Sequence, residues 1–448
     1  MINKMIQIQN LIQIQFSNLL GGLIYTEGKL PTLNYKNQFP ENIGSFTASP
    51  SRSRFPRGFL WDDGFHNILI CKFDELLCLQ ILNSWYDNMD ENGWIPREQV
   101  KSEEIAQNVP MEFVLQDPNE ANPPTLLLPI LQLIEKQIKN ETQNQNTQPS
   151  SIKQFLKQNF EKIEKQFQWF QENQKVDFEH VQIQKELSEE LDVIPTESYG
   201  YYRWRCKNNN CNSGNFYGSG LDDYPRQDRI SISKSHIDLN VWIYFMADSM
   251  EKISDFMGFN DKLRQYNKFK KSVDFKLQDQ FLDKEDFIYK DLAILKRQKQ
   301  KEVFMKHIGY ITLYPIFTGQ VQQNSQELNN IISILKDENQ IYSKYGIGSL
   351  SRQDFYYGKG DNYWRGNIWL PINYMILRGI KLHYKENKEL QEIFVKTSQN
   401  LINNIYEQWE KTGYIYENYD LQTGVGKGGH PFTGWTTLFI AIASQIYN

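Results

Sequence analysis

Apolar residues recur at helical spacing along almost the whole chain, and this period limits the fold more than any other feature of the sequence. From His66 to about Met89 the stripe is Ile68, Ile70, Cys71, Leu76, Leu77, Leu79, Ile81, Leu82 and Trp85. Comparable stretches cover 1–28, 126–139, 152–175, 235–257, 261–281, 326–335, 368–384, 388–411 and 436–447. No stretch shows a strand–helix–strand rhythm, a phosphate-binding glycine loop or a dinucleotide fingerprint. The helices come in pairs. The loops after alternate helices are long, aromatic and acidic, while the intervening turns are plainer. About six helical hairpins with their long loops at one end predict an all-α ring with a cleft at that end. Lys284 to Lys301 reads as a charged surface segment. The Gln/Asn-rich run from Asn140 to Ser151 reads as a mobile insertion.

The formal net charge of −5 leaves no basic field, so nucleic acid is not an expected partner. Aromatic residues make up 14% of the chain, which suits sugar stacking as well as a core. The longest apolar run, Leu126 to Ile134, is too short to cross a bilayer and contains Pro129 and Gln132. The N-terminal alternation of Ile with Gln and Asn lacks the apolar core and cleavage site of a signal peptide. Cys71 and Cys78 lie seven apart in one helical pattern, which puts them on a shared face in the core. Cys206 and Cys211 are spaced to close a small disulfide, given an oxidising compartment. Asn140-Glu141-Thr142 is a single glycosylation sequon.

The long loops hold the chemistry. In GSGLDDYPR, Gly218 to Arg226, the adjacent carboxylates Asp222 and Asp223 follow a tight turn and precede Tyr224-Pro225. Neighbouring loop carboxylates repel each other and bury no apolar surface. They fit either a solvated acidic turn or sugar or metal chemistry. Glu417 lies in IYENYD, between Tyr416 and Tyr419, an aromatic frame able to tune its pKa. Asp222 and Glu417 make a pair of carboxylates on separate loops, the minimum equipment for cleaving a glycosidic bond. Asp62, Asp63, Glu98, Glu112 and Glu197 are further loop acids, read as hydroxyl ligands or scaffolding. Trp61, Trp94, Trp204, Trp364 and Trp435 share these loops. Arg57, Arg97 and Arg365 stand beside the acids, able to orient carboxylates and bond sugar hydroxyls. The six histidines show no paired zinc spacing. His66, His236 and His430 are therefore read as structural, and neither metal nor cofactor is expected.

FPRGFLWDDGFH, GWIPREQ, VPMEF, QDPNEANPPTL, GSGLDDYPR, HIDL, NYWRGNIW, YENYD and HPFTGW, in this order, resemble the processing α-glucosidase I family, glycoside hydrolase family 63. The resemblance runs from about Phe16 to the end. It implies an (α/α)6 barrel, spanning 1–448 as one catalytic domain. It also implies inverting hydrolysis of the terminal α-1,2-linked glucose of the triglucosylated N-glycan precursor. Asp222 matches the family's general acid and Glu417 its general base, with an expected separation of roughly 6.5–9.5 Å. Arg57, Trp61 and Asp62 match ligands of the cleaved glucose. Arg97, Glu98, Asp223, Trp364, Arg365 and Trp435 complete the expected substrate-binding set, with Asp223 pairing with an arginine or holding its loop.

The implied partner is a glucosylated high-mannose oligosaccharide or glycoprotein, met by a monomer in the endoplasmic-reticulum lumen. Three departures accompany the match. Asp63 stands where the family has Glu. Gly348 stands where it has Arg. The family's N-terminal membrane anchor and β-sandwich domain are expected to be missing, the chain starting at the barrel. The alternatives are a related glycosidase of smaller α-glucosides and a catalytically silent glycan-binding paralogue.

Overall fold

The computed structural model describes the chain except residues 1, 34–42, 144–149, 177–200, 208–213, 229, 296–300 and 448. Among the described residues, helices of six residues or more are α1 (Ile2–Gly21), α2 (Leu60–Phe73), α3 (Glu75–Asp87), α4 (Leu127–Thr142), α5 (Ser151–Asn173) and α6 (Ile237–Met257). They continue with α7 (Asn260–Gln280), α8 (Tyr310–Thr318), α9 (Gln326–Lys336), α10 (Leu370–His383), α11 (Lys388–Thr412) and α12 (Leu438–Ala443). The even-numbered helices form an inner ring. Each packs on the next, and α12 returns to α2. The odd-numbered helices lie outside them. This is the (α/α)6 arrangement that the paired helices predict.

Burial explains which helix goes where. The inner helices are buried on nearly all sides along much of their length: α2 from Leu60 to Cys71 and α8 from Tyr310 to Phe317. The outer helices carry a single apolar stripe. In α5 it is Ile152, Phe155, Leu156, Phe160, Ile163, Phe167 and Phe170, with lysines and glutamates filling the opposite face. Trp242, Phe245 and Phe317 pack together where α6 meets α8, with ring centroids 5.1–5.6 Å apart.

Several elements differ from expectation, each for a local reason. The stripe from His66 to Met89 is not one helix. α2 begins at Leu60, inside the segment read as a loop, and stops at Asp74, whose backbone is extended (φ −143, ψ 108). The Asp74 carboxylate accepts the Leu77 N–H at 3.0 Å and starts α3. Cys71 and Cys78 therefore sit on two helices, buried, disulfide-bonded, with Cα atoms 4.9 Å apart. Cys211 lies outside the described residues, and the expected Cys206–Cys211 pairing with it. α8 lies in a stretch that its Pro315 keeps from reading as a helix, and burial on every side outweighs that penalty.

Of the segment after α7, Lys284, Glu285, Asp286 and Lys301 are exposed as expected, but the described remainder is not a charged surface. Leu282–Asp283 pairs with Ile288–Tyr289, and Leu292–Leu295 lies between Ser231–Ser235 and Glu302–Phe304, all antiparallel. Lys290 and Asp291 are buried there. α1 ends at Gly21, and Leu23–Thr26 pairs antiparallel with Ser45–Ala48. Of the expected insertion, Asn140–Thr142 finishes α4 and Ser151 begins α5; residues 144–149 lie outside the described part. No helix among the described residues is long and apolar enough to cross a membrane.

Candidate active site

The loops entering the inner helices enclose a cavity of about 450 Å³. Arg57, Trp61 and Asp62 line it from the first turn of α2 and the loop before it, and Arg97 and Glu98 from the neighbouring loop. These two segments are zipped together: Leu60 N–H donates to Arg97 O at 2.9 Å and Gln99 N–H to Gly58 O at 3.0 Å. Asp222 enters before α6, Trp364 before α10, and Glu417 and Trp435 before α12. Since α6 and α12 are third and sixth in a closed ring of six, Asp222 and Glu417 approach from opposite sides.

The turn that delivers Asp222 lies hard against Trp61. A Cβ at Gly220 would stand 2.7 Å from Trp61 Cζ2, so only glycine lets the loop approach this closely. The Asp222 main-chain carbonyl accepts Phe216 N–H at 3.2 Å. Its carboxyl is half-buried and pushed up to about 7, chiefly by burial; Arg97 pulls it down, and Asp223, Glu98 and Glu417 push it further up.

Glu417 sits at the root of a hairpin in which Asn418–Tyr419 pairs with Gly426–Lys427. Its Oε2 accepts Gly429 N–H at 2.7 Å and its Oε1 accepts the Tyr363 hydroxyl. Its carbonyl accepts Trp435 Nε1–H at 3.0 Å. Burial raises its pKa, and the Tyr363 and Gly429 bonds hold it down.

Glu98 is clamped by two cations. Arg57 Nε donates to Oε2 and Arg97 Nη2 to Oε1, both at 2.7 Å. Asp62 faces the cavity with its carboxyl well above the usual range, first through burial and then through the charges of Asp63 and Glu417. Trp61 lies 6.0 Å from Trp364 and 5.4 Å from Trp435, and Trp364 stacks on Trp369 at 3.9 Å. Aromatic rings and carboxylates thus line the same cavity. Such a lining suits a polyhydroxylated ring, apolar on its faces and hydrogen-bonding at its rim.

Two residues of the expected binding set do not line the cavity. Asp223 turns its carboxylate to the loop ahead of α10: Oδ1 accepts Trp364 N–H at 2.6 Å and Oδ2 accepts Tyr363 N–H at 3.2 Å. Arg365 Nε donates to Asp223 O at 2.7 Å and reaches Oδ2 at 3.5 Å. Pairing with an arginine and holding a loop, the expected supporting role of Asp223, is what this geometry contains.

Asp63 also faces the scaffold. It accepts Ala48 N–H at 3.1 Å and Trp85 Nε1–H at 2.6 Å and pairs with His66 Nδ1 at 2.9 Å. A Cβ at position 348 would stand 2.6 Å from Leu421 Cδ2 and 2.7 Å from Gly366 O, leaving no room for a side chain. Trp94 and Trp204 are buried and bond Glu120 O and Asp238 Oδ1 at 2.9 and 3.2 Å. His236 is buried beside Trp204, whereas His430 is exposed, with its ring 5.0 Å from that of Tyr416. Glu112 is exposed and Glu197 lies outside the described residues. Among the described residues, no group of three or more His, Cys, Asp or Glu side chains is arranged to hold a metal ion.

Sequence reasoning passed over Tyr363 and Asn122. Both line the cavity, and Asn122 Oδ1 accepts Trp61 N–H at 3.1 Å. Their signal was their place inside NYWRGNIW and QDPNEANPPTL. Phe55, Phe59 and Phe432 add further apolar lining, and Arg54, Asn108 and Phe113 also line the cavity.

Residues 3–445 match the model of the glycosyl hydrolase family 63 C-terminal domain. The chain is 34% identical over 430 residues to a probable mannosyl-oligosaccharide glucosidase of Schizosaccharomyces pombe, a match covering 90% of this chain and 51% of that protein. It is 32% identical over 478 residues to a mannosyl-oligosaccharide glucosidase of Saccharomyces cerevisiae, covering 96% and 56%. The match to alpha-glucosidase 2 of Arabidopsis thaliana is 34% over 483 residues, covering 96% and 58%. The chain thus spans about half the length of the curated relatives it matches. Among solved structures, the family 63 mannosylglycerate hydrolase from Thermus thermophilus, in complex with glucose, superposes with a TM-score of 0.60 at 14% identity, covering 89% of this chain and 95% of that one. Neutral trehalase Nth1 from Saccharomyces cerevisiae gives 0.60 at 13% identity, covering 95% and 77%. These two share the fold.

Proposed function

The chain belongs to glycoside hydrolase family 63, and from that membership we propose that it hydrolyses the terminal α-1,2-linked glucose of a triglucosylated N-glycan precursor with inversion. The observation that carries this reading is the pairing of Asp222 and Glu417, brought from opposite sides of the ring to one cavity. Their environments differ as the two roles require. Asp222, with a pKa near 7, keeps a proton to give at neutral pH. Glu417, held by two donors, is shaped to accept one.

In this mechanism Asp222 protonates the glycosidic oxygen as its bond to the anomeric carbon breaks. Glu417 takes a proton from a water on the opposite face of the ring, and that water's oxygen attacks the same carbon. One water is consumed, β-glucose forms, and the shortened glycan leaves as the free alcohol. Trp61, Trp364 and Trp435 give the sugar its apolar wall. Asp62, Arg57, Arg97 and Glu98 offer hydrogen bonds to its hydroxyls, with Asp223 and Arg365 fixing the loop behind Trp364. The partner is then a glucosylated high-mannose oligosaccharide or glycoprotein, and the place of action the endoplasmic-reticulum lumen.

Glucose release from triglucosylated glycan by Asp222→Asn and Glu417→Gln tests the reading. Each variant is expected to stay folded and lose turnover by several orders of magnitude. Near wild-type release by both, or equal release from diglucosylated glycan by the unaltered protein, would overturn it.

A further inference from the structure

We propose that Tyr363 is a positioning residue, which locks the Glu417 carboxylate in its working orientation and ties it to the loop that carries Asp222. The inference rests on the acid–base reading above and goes beyond it.

The side chain supplies one half of the argument. The Tyr363 hydroxyl donates to Glu417 Oε1, and Gly429 N–H donates to Oε2 at 2.7 Å. Each carboxylate oxygen therefore has one fixed protein donor. An ionised carboxylate offers about four lone-pair sites, so capacity remains for a water. Burial and the Glu417 charge keep the Tyr363 phenol protonated far above its ordinary range, so it stays a donor. Its ring stands edge-on to the stacked indoles, 4.6 Å from Trp369 and 6.2 Å from Trp364. An aromatic wall alone needs no hydroxyl, and a hydroxyl directed at the proposed base has a cause in the chemistry.

The main chain supplies the other half. Tyr363 N–H and Trp364 N–H both donate to the Asp223 carboxylate, one residue after Asp222. The Tyr363 carbonyl accepts Trp369 Nε1–H at 3.1 Å and Asn367 Nδ2–H at 3.2 Å. One residue thus links the two loops whose spacing the proposed mechanism depends on. A misplacement of about 1 Å at such a site costs on the order of 100-fold in rate.

The test is Tyr363→Phe, which keeps the ring and deletes the donor. On triglucosylated glycan, kcat is expected to fall roughly 10–100-fold with KM within about twofold. The acid limb of the kcat/KM profile is expected to move to higher pH, because a hydrogen bond that lowers the Glu417 pKa is gone. With α-glucosyl fluoride, whose leaving group needs no proton, Asp222→Asn should recover activity and Tyr363→Phe should not. Combined with Glu417→Gln, Tyr363→Phe should add no further loss.

Wild-type kcat with an unmoved acid limb would overturn the inference. So would a rise in KM alone, a defect relieved by the fluoride, or losses that add in the double variant. Should Asp222→Asn and Glu417→Gln both retain turnover, the reading of the site itself falls, whatever Tyr363→Phe does.

Discussion

Trp364 donates its main-chain N–H to Asp223 Oδ1 at 2.6 Å, so the second of two adjacent acids serves the scaffold while the first lines the cavity. Asp223→Ala leaves the Tyr363 and Trp364 amides without that acceptor. The expected cost is on the order of 1–3 kcal/mol, read by urea unfolding. Asp223→Asn should lose less, because its amide oxygen still accepts one of the two bonds. Glucose release should follow the same order.

Arg226, four residues beyond Asp222, is fully buried and bonds Asp238 Oδ1 at 3.0 Å and Asp291 Oδ2 at 2.9 Å. Arg226→Met strands two buried carboxylates. The expected destabilisation is about 3–5 kcal/mol, measured by denaturant unfolding. Adding Asp291→Asn to Arg226→Met should recover part of it. A lone Arg226→Met as stable as the wild type would contradict this role.

These findings mark what the sequence made legible. The ring was readable because the helices come in pairs and the long, aromatic, acidic loops follow alternate helices. The break at Asp74 was not, because the apolar stripe resumes directly after the cap. Asp291 read as surface because its partner Arg226 is 65 residues away in the chain. Asp222 and Asp223 share one string, and adjacency says nothing about which side chain turns inward. Tyr363 escaped notice because its bond crosses 54 residues to Glu417.

The pH profile should be a bell. Glu417, with its pKa above the ordinary range, sets the acid limb, and Asp222 sets the alkaline limb near pH 7. Arg97→Met removes a cation that favours ionised Asp222, so the alkaline limb should move up. Stability has the opposite sense for this group. Its folded pKa of about 7 exceeds the unfolded value near 3.8, so its contribution is full below 3.8 and lost as pH rises through 7. Asp222→Asn should therefore be more stable than the wild type above pH 7, and the gap should close toward pH 3.8, as unfolding at both ends would show.

Gly428 has φ +74, and a Cβ there would stand 2.3 Å from Glu417 Oε2. Gly258, at the end of α6, has φ +75 with nothing within 4 Å of an added Cβ. Alanine at either site costs about 1–3 kcal/mol of backbone strain. Only Gly428→Ala should also lower kcat, because it displaces the carboxylate. Equal kcat in the two variants would contradict the placement of Glu417.

The anomeric configuration of the glucose at first release, read by proton NMR before mutarotation, tests the central claim most directly. Water delivered by Glu417 to the face opposite Asp222 predicts β-glucose from the α-linked substrate. Initial release of α-glucose would contradict it.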